Sequence, residues 1–258
     1  MLLPHHFNRA PVQHRPGFSL LELLVVISII ALLVGLLLPA LSKMRQSGRA
    51  AECTNNVRNL EIAHAMYMNE NRGFLVDVGM GHGGSSANEE RLWWINALER
   101  YYGSKLTLRS PVDDSPHWSK EDGGDGVPVP GGGGRFRVTS YGVNNYLSSV
   151  TPIKSWMRQS EIPMPSKTVH FLLMTPLGDY AGADHTHVET WHLAGKENTP
   201  VLASKQVYVT GHSGGLSAEP TYESRSAWGF LDGSARVATF EEVYRTVEDN
   251  QFDPQFAR

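Results

Sequence analysis

The chain has 258 residues, 41% hydrophobic and 19% charged, with a formal net charge of -3, which suits one or two domains with an apolar core. A charge so near zero, with no Lys/Arg block beyond residue 60, argues against a nucleic-acid binder. The lone cysteine, Cys53, excludes an intrachain disulfide, so an exported domain would be held by packing alone.

The first element is "RPGFSLLELLVVISIIALLVGLLLPAL", Arg15 to Leu41. From Leu23 to Ser42 it carries no charge, a run of about 20 residues, the length that crosses a bilayer as a helix. A cleaved secretory signal has a shorter apolar region and a small-residue cleavage site directly after it. The run therefore predicts a retained membrane helix. Orientation stays open on charge alone: Arg9 and Arg15 precede the run, Lys43, Arg45, Arg49 and Arg58 follow it, and long domains translocate largely regardless of charge.

Glu22 is the anomaly. A carboxylate deep in hydrocarbon costs about 2.5–3.5 kcal/mol on insertion scales, so it either lies at the interface or has a partner. Pro16-Gly17 suggests the partner. A cut after Gly17 would leave the amine of Phe18 one helical turn from Glu22, at the end where the helix dipole favours an anion. Stacked copies would then set Glu22 of one against Phe18 of the next.

This segment resembles the N-terminal signature of type IV prepilins and type II secretion pseudopilins: Gly before Phe, Glu five residues after that Gly, an apolar run and a proline near its end. The resemblance implies cleavage after Gly17 by a prepilin peptidase that also methylates Phe18, with Glu22 as the assembly carboxylate. It also implies a cytoplasmic leader over 1–17, an inner-membrane single pass and a periplasmic head.

The helix should continue beyond the membrane. Cys53, Val57, Leu60, His64 and Tyr67 fall on one helical face, and Asn71-Arg72-Gly73 is a stop. Pro39 cannot donate a backbone bond to Gly35, so a bend or local melting is expected at Gly35 and Pro39. His64 reads as a satisfied core histidine. The expected organisation is a leader over 1–17, a transmembrane and assembly helix over 18–41, its amphipathic continuation over 42–72, and an exported β-rich head over 73–258.

Within the head, a short helix is expected at Glu90–Tyr101. Strands are expected near Lys105–Leu108, Val138–Asn144, Thr168–Thr175, Gln206–Thr210 and Ser226–Thr239. The last contains Asp232-Gly233, a hairpin signal in which both turn positions favour positive φ. Two Gly-rich stretches, Gly79–Ser86 and Gly123–Gly134, read as mobile surface loops. The fold class is thus α+β: a long N-terminal helix against an antiparallel sheet head with long Gly-rich loops. "LRSPVDDSP", "SYGVNNYL", "GHSGG" and "FLDGSARV" resemble landmarks of large pseudopilin-like families of planctomycetes and related bacteria. Members often have Cys where Ser110 stands here, and His where Tyr222 stands.

Sites for chemistry are few. Ser213 in "GHSGG" fits a nucleophile elbow, but no histidine follows His212 to complete the triad order. His185, His187 and His192 in "DHTHVETWH" are zinc candidates by residue type, with a polar loop as the alternative. Some pseudopilin heads bind calcium, and Asp113, Asp114, Glu121, Asp122 and Asp125 could supply oxygens, though without EF-hand spacing; a solvated acidic loop explains the same residues. The reading is a non-enzymatic subunit of a type II secretion or type IV pilus-like filament, needing no cofactor. Its partners are the prepilin peptidase, copies of itself or other pseudopilins, and the inner membrane, with no nucleic acid. The alternative is a membrane-tethered β-rich module that binds a carbohydrate or an envelope partner through Trp93, Trp94, Trp118, Trp156, Trp191 and Trp228.

Overall fold

The computed structural model describes residues 20–79, 94–151 and 154–258. Contacts divide the chain into two compact units, one up to Arg45 and one from Gln46 to Arg258. Helix α1, Leu20–Glu70, begins in the first and ends in the second. It runs unbroken past Gly35 and Pro39, so the local melting expected there is not seen. Its end follows the stop signal in a modified way: Arg72 itself takes the left-handed conformation (φ 57°) and the Gly73 N–H closes on the Met68 carbonyl at 2.8 Å. This is the long bond of a helix-terminating Schellman turn.

The second unit is built on a four-stranded antiparallel sheet in the order β1-β2-β3-β4. The strands are β1 (Tyr141–Val143), β2 (Val169–Leu173), β3 (Arg225–Phe230) and β4 (Ala235–Thr239). One face carries the stripe of α1 (Cys53, Val57, Leu60) and helix α2 (Trp94–Tyr102), packed on Tyr141, Val143, Phe171 and Leu173. The other face carries Trp191, Trp228, Phe240, Tyr244 and Phe252 over Val169 and Leu172. Every residue of β2 is buried, because both its faces are covered.

Several expectations change. Lys105–Leu108 is a 3-10 helix, not a strand. Gln206–Thr210 makes only one isolated bridge, Met174 to Val207, beside turns. The β3–β4 hairpin forms as expected, but Gly233 alone of its turn pair has positive φ (91°). Its N–H donates to the Phe230 carbonyl at 2.9 Å, the three-residue loop with glycine at the bulge position. Asp232 serves the turn through its side chain instead, accepting from the Ser234 N–H at 2.9 Å. The Gly123–Gly134 stretch is a chain of hydrogen-bonded turns, with Val129 buried against Gly132 and Gly182. Of Gly79–Ser86, only Gly79 is described, its N–H donating to Asp184 at 3.1 Å.

Candidate assembly helix and a buried Glu–His–His cluster

The first part of α1 is apolar all round, and every residue from Leu20 to Arg45 is exposed. Among the described residues it is the one helix long and apolar enough to cross a membrane. Its internal polar group is already satisfied: the Ser28 hydroxyl donates to the Leu24 carbonyl at 2.7 Å, as a hydroxyl in hydrocarbon requires. Glu22 sits in the first turn, where the unpaired N–H groups of the helix start favour an anion. Gly17 and Phe18 lie outside the described residues.

The head holds a cluster that the sequence did not announce. Strand β2 pairs Val169 with Phe230 but Leu172 with Trp228, so His170 and Phe171 together oppose the single residue Gly229. That is a β-bulge. Its consequence is visible in the packing: Val169 and Leu172 join the aromatic cluster on one face, while Phe171 and Leu173 join α1 on the other. His170 also turns toward α1, its ring packed at a tilt of 32° against His64 with centroids 4.2 Å apart.

Glu61 fills the bulge. Its Oε1 accepts from the Phe171 N–H at 3.0 Å, and its Oε2 lies 2.9 Å from His170 Nδ1. Gly229 makes the room, since a Cβ there would collide with Glu61 Oε1 and with Val57 Cγ1. His64 Nε2 accepts from the Val76 N–H at 3.2 Å. Glu61, His64 and His170 are at most 1% exposed. Burial pushes the Glu61 carboxyl well above its usual range and His64 well below its own, and lowers His170 to about 3. The shifts of Glu61 and His170 both disfavour the charged forms of the pair. His64 Nδ1 and His170 Nε2 are buried without a hydrogen-bond partner, so His64 is only half satisfied. The available signal was Glu61-x-x-His64, which puts both side chains on one helical face.

The other predicted positions lie elsewhere. His185 Nδ1 is 2.8 Å from Asp184 and His187 Nδ1 is 3.1 Å from Glu189, with the two rings 5.1 Å apart. His185 makes a single bridge to Val143, and His192 is exposed on the 3-10 helix Val188–Ala194. Asp113 is buried and engaged by Arg137 Nε at 2.8 Å, the Ser140 hydroxyl at 2.6 Å and the Ser115 N–H at 3.0 Å. Asp114, Glu121, Asp122 and Asp125 are exposed. Ser213 Oγ accepts from the Arg225 N–H at 2.9 Å in a turn. Trp94, Trp118, Trp156, Trp191 and Trp228 are buried in the head, which corrects their reading as a sugar-stacking set; Trp93 is outside the described residues. Ser110 Oγ donates to Cys53 Sγ at 3.4 Å, so the serine stands beside the cysteine that a second thiol there would meet.

A family model described as the prokaryotic N-terminal methylation motif matches residues 13–38. The motif and the long apolar helix that carries it fit a type IV prepilin or pseudopilin-like protein. No curated protein matches the chain, and no solved structure does.

Proposed function

We propose that the chain is a pilin- or pseudopilin-type subunit that adds to an envelope filament through α1, in a type II secretion or type IV pilus-like system. The observation that carries this reading is the methylation motif over 13–38 leading into a helix whose first part is apolar on every side and, among the described residues, exposed throughout. Such a surface demands lipid before assembly and neighbouring helices after it. In this reading the peptidase cuts after Gly17 and methylates Phe18. Glu22 then meets the Phe18 ammonium of a neighbouring copy. A buried carboxylate left alone among apolar helices is costly, so correct stacking is selected by the pairing. The helix anchors the unassembled subunit in the inner membrane and the head lies in the periplasm. The role is structural, with the work of assembly supplied by a separate ATPase.

The test is mass spectrometry of the mature N-terminus from native envelopes. A chain beginning at methylated Phe18 is expected, and an intact leader from Met1 would overturn the proposal.

A further inference from the structure

We infer that Glu61, His64 and His170 form a buried divalent-metal site, with zinc the best fit, that staples α1 to the bulge of β2. One donor atom from each of the three lies within 4.8 Å of the other two. A tetrahedral zinc with bonds of about 2.0–2.1 Å needs its donors roughly 3.4 Å apart, so modest side-chain adjustment closes the site. Two imidazoles and one carboxylate are a donor set that zinc accepts.

Three further observations point to a ligand. His64 Nδ1 and His170 Nε2 lack hydrogen-bond partners although both rings are fully buried, and buried polar atoms are seldom left so. The three groups come from two elements far apart in sequence, α1 and β2, and each is already oriented: Glu61 by the Phe171 N–H, His170 by Glu61, and His64 by Val76. Finally, Gly229 gives the carboxylate the room it occupies, since a Cβ there would meet Glu61 Oε1. Water would take the fourth position. With its ligands at most 1% exposed, the site admits no substrate, so its role is to hold the bulge and the helix together. This inference concerns the head alone and stands apart from the filament reading.

The test uses the full chain, extracted in detergent after expression in zinc-supplemented medium. Elemental analysis should find about one equivalent of zinc per chain, and X-ray absorption should show two imidazoles and oxygen with no sulfur. Zinc at about 100 times its Kd should raise the unfolding midpoint by roughly 5–10 °C over chelated protein. The metal should be lost in E61Q/H170Q and kept in H185Q/H187Q. A zinc-free wild type, sulfur scattering, zinc retained by E61Q/H170Q or zinc lost from H185Q/H187Q would each overturn the site. The wild-type spectrum decides independently of whether a variant folds.

Discussion

Residues 20–45 and 46–70 belong to one helix, yet they obey opposite solvent rules. In the first part every position is exposed, and Leu, Ile and Val lie on all sides. In the second, burial is confined to one stripe: Cys53, Val57, Leu60, Glu61, Ala63, His64 and Met68. Secondary structure alone does not separate them; the angular spread of apolar residues does. A one-sided stripe is matched by the chain's own sheet, whereas an all-round apolar surface is incomplete until something external covers it. The two carboxylates also differ in setting. Glu22 sits at the exposed start of the helix, while Glu61 is buried over a bulge.

The largest break in this comparison should come from Glu22→Leu. Subunit cross-linking within envelope filaments should fall to background, while denaturant unfolding of the head stays unchanged. Assembly at wild-type levels would remove the carboxylate from the assembly chemistry.

Paired truncations sharpen the contrast between the two parts of α1. Leu60 is completely buried and Leu32 is 65% exposed. Leu60→Ala should destabilise the head by about 2–5 kcal/mol, through lost transfer energy and the cavity left behind. Leu32→Ala should change head unfolding by less than about 0.5 kcal/mol. Urea unfolding in detergent measures both.

The contact between Ser110 and Cys53 allows a change in the opposite direction. With Oγ and Sγ already 3.4 Å apart, Ser110→Cys should oxidise to a disulfide after a small side-chain rotation. Closing that loop should stabilise the second unit by about 2–4 kcal/mol. Burial raises the Cys53 thiol to about 11, so the bond should form slowly unless oxidation accompanies folding. Mass spectrometry and thermal unfolding, with and without reductant, would show both effects.

What was legible in the sequence follows the same division. The apolar run, Glu22 and the stripe at Cys53, Val57, Leu60 and His64 could be read because helical periodicity is local information. The β3–β4 hairpin was legible for the same reason, through Asp232-Gly233. The bulge was not. "VHFLLM" reads as a plain apolar run, and only the partner strand reveals that His170 and Phe171 share one opposing residue. Glu61 carries no such local signal of burial, since an acid on an amphipathic helix usually faces water; it is buried here because the bulge frees a backbone N–H for it. Lys105–Leu108 has strand-like residues, yet it coils into a 3-10 turn. The tryptophans could not be divided between core and surface without knowing which faces of the sheet are covered.

The bulge offers a smaller perturbation. Gly229→Ala should place a methyl against Glu61 Oε1 and Val57 Cγ1. Overpacking of this kind costs about 1–3 kcal/mol. Combining it with Val57→Ala should recover only the part due to Val57, and a full recovery would show that Glu61 is not confined as described. A double-mutant cycle of unfolding free energies separates the two contacts.

The smallest expected effect lies at the end of β4, where the head relies on local geometry more than on packing. Thr239 caps the helical turn Phe240–Val243: its hydroxyl accepts from the Glu242 N–H at 3.2 Å, and its own N–H donates to Glu242 Oε2 at 2.7 Å. Thr239→Ala removes half of this reciprocal pair and should cost about 1 kcal/mol. Hydrogen bonds from the Thr239 backbone and hydroxyl hold the Glu242 carboxyl below its usual range. A group with a lowered folded pKa stabilises the native state above its unfolded value, about 4.3, and that contribution disappears as pH falls through the folded value. Urea midpoints at neutral pH and at pH below about 3 should therefore differ less for Thr239→Ala than for wild type. An equal difference would mean that Glu242 gains nothing from the Thr239 hydroxyl. The Thr239 backbone N–H and the core residues Phe240 and Val243 would then hold the turn without help from the hydroxyl.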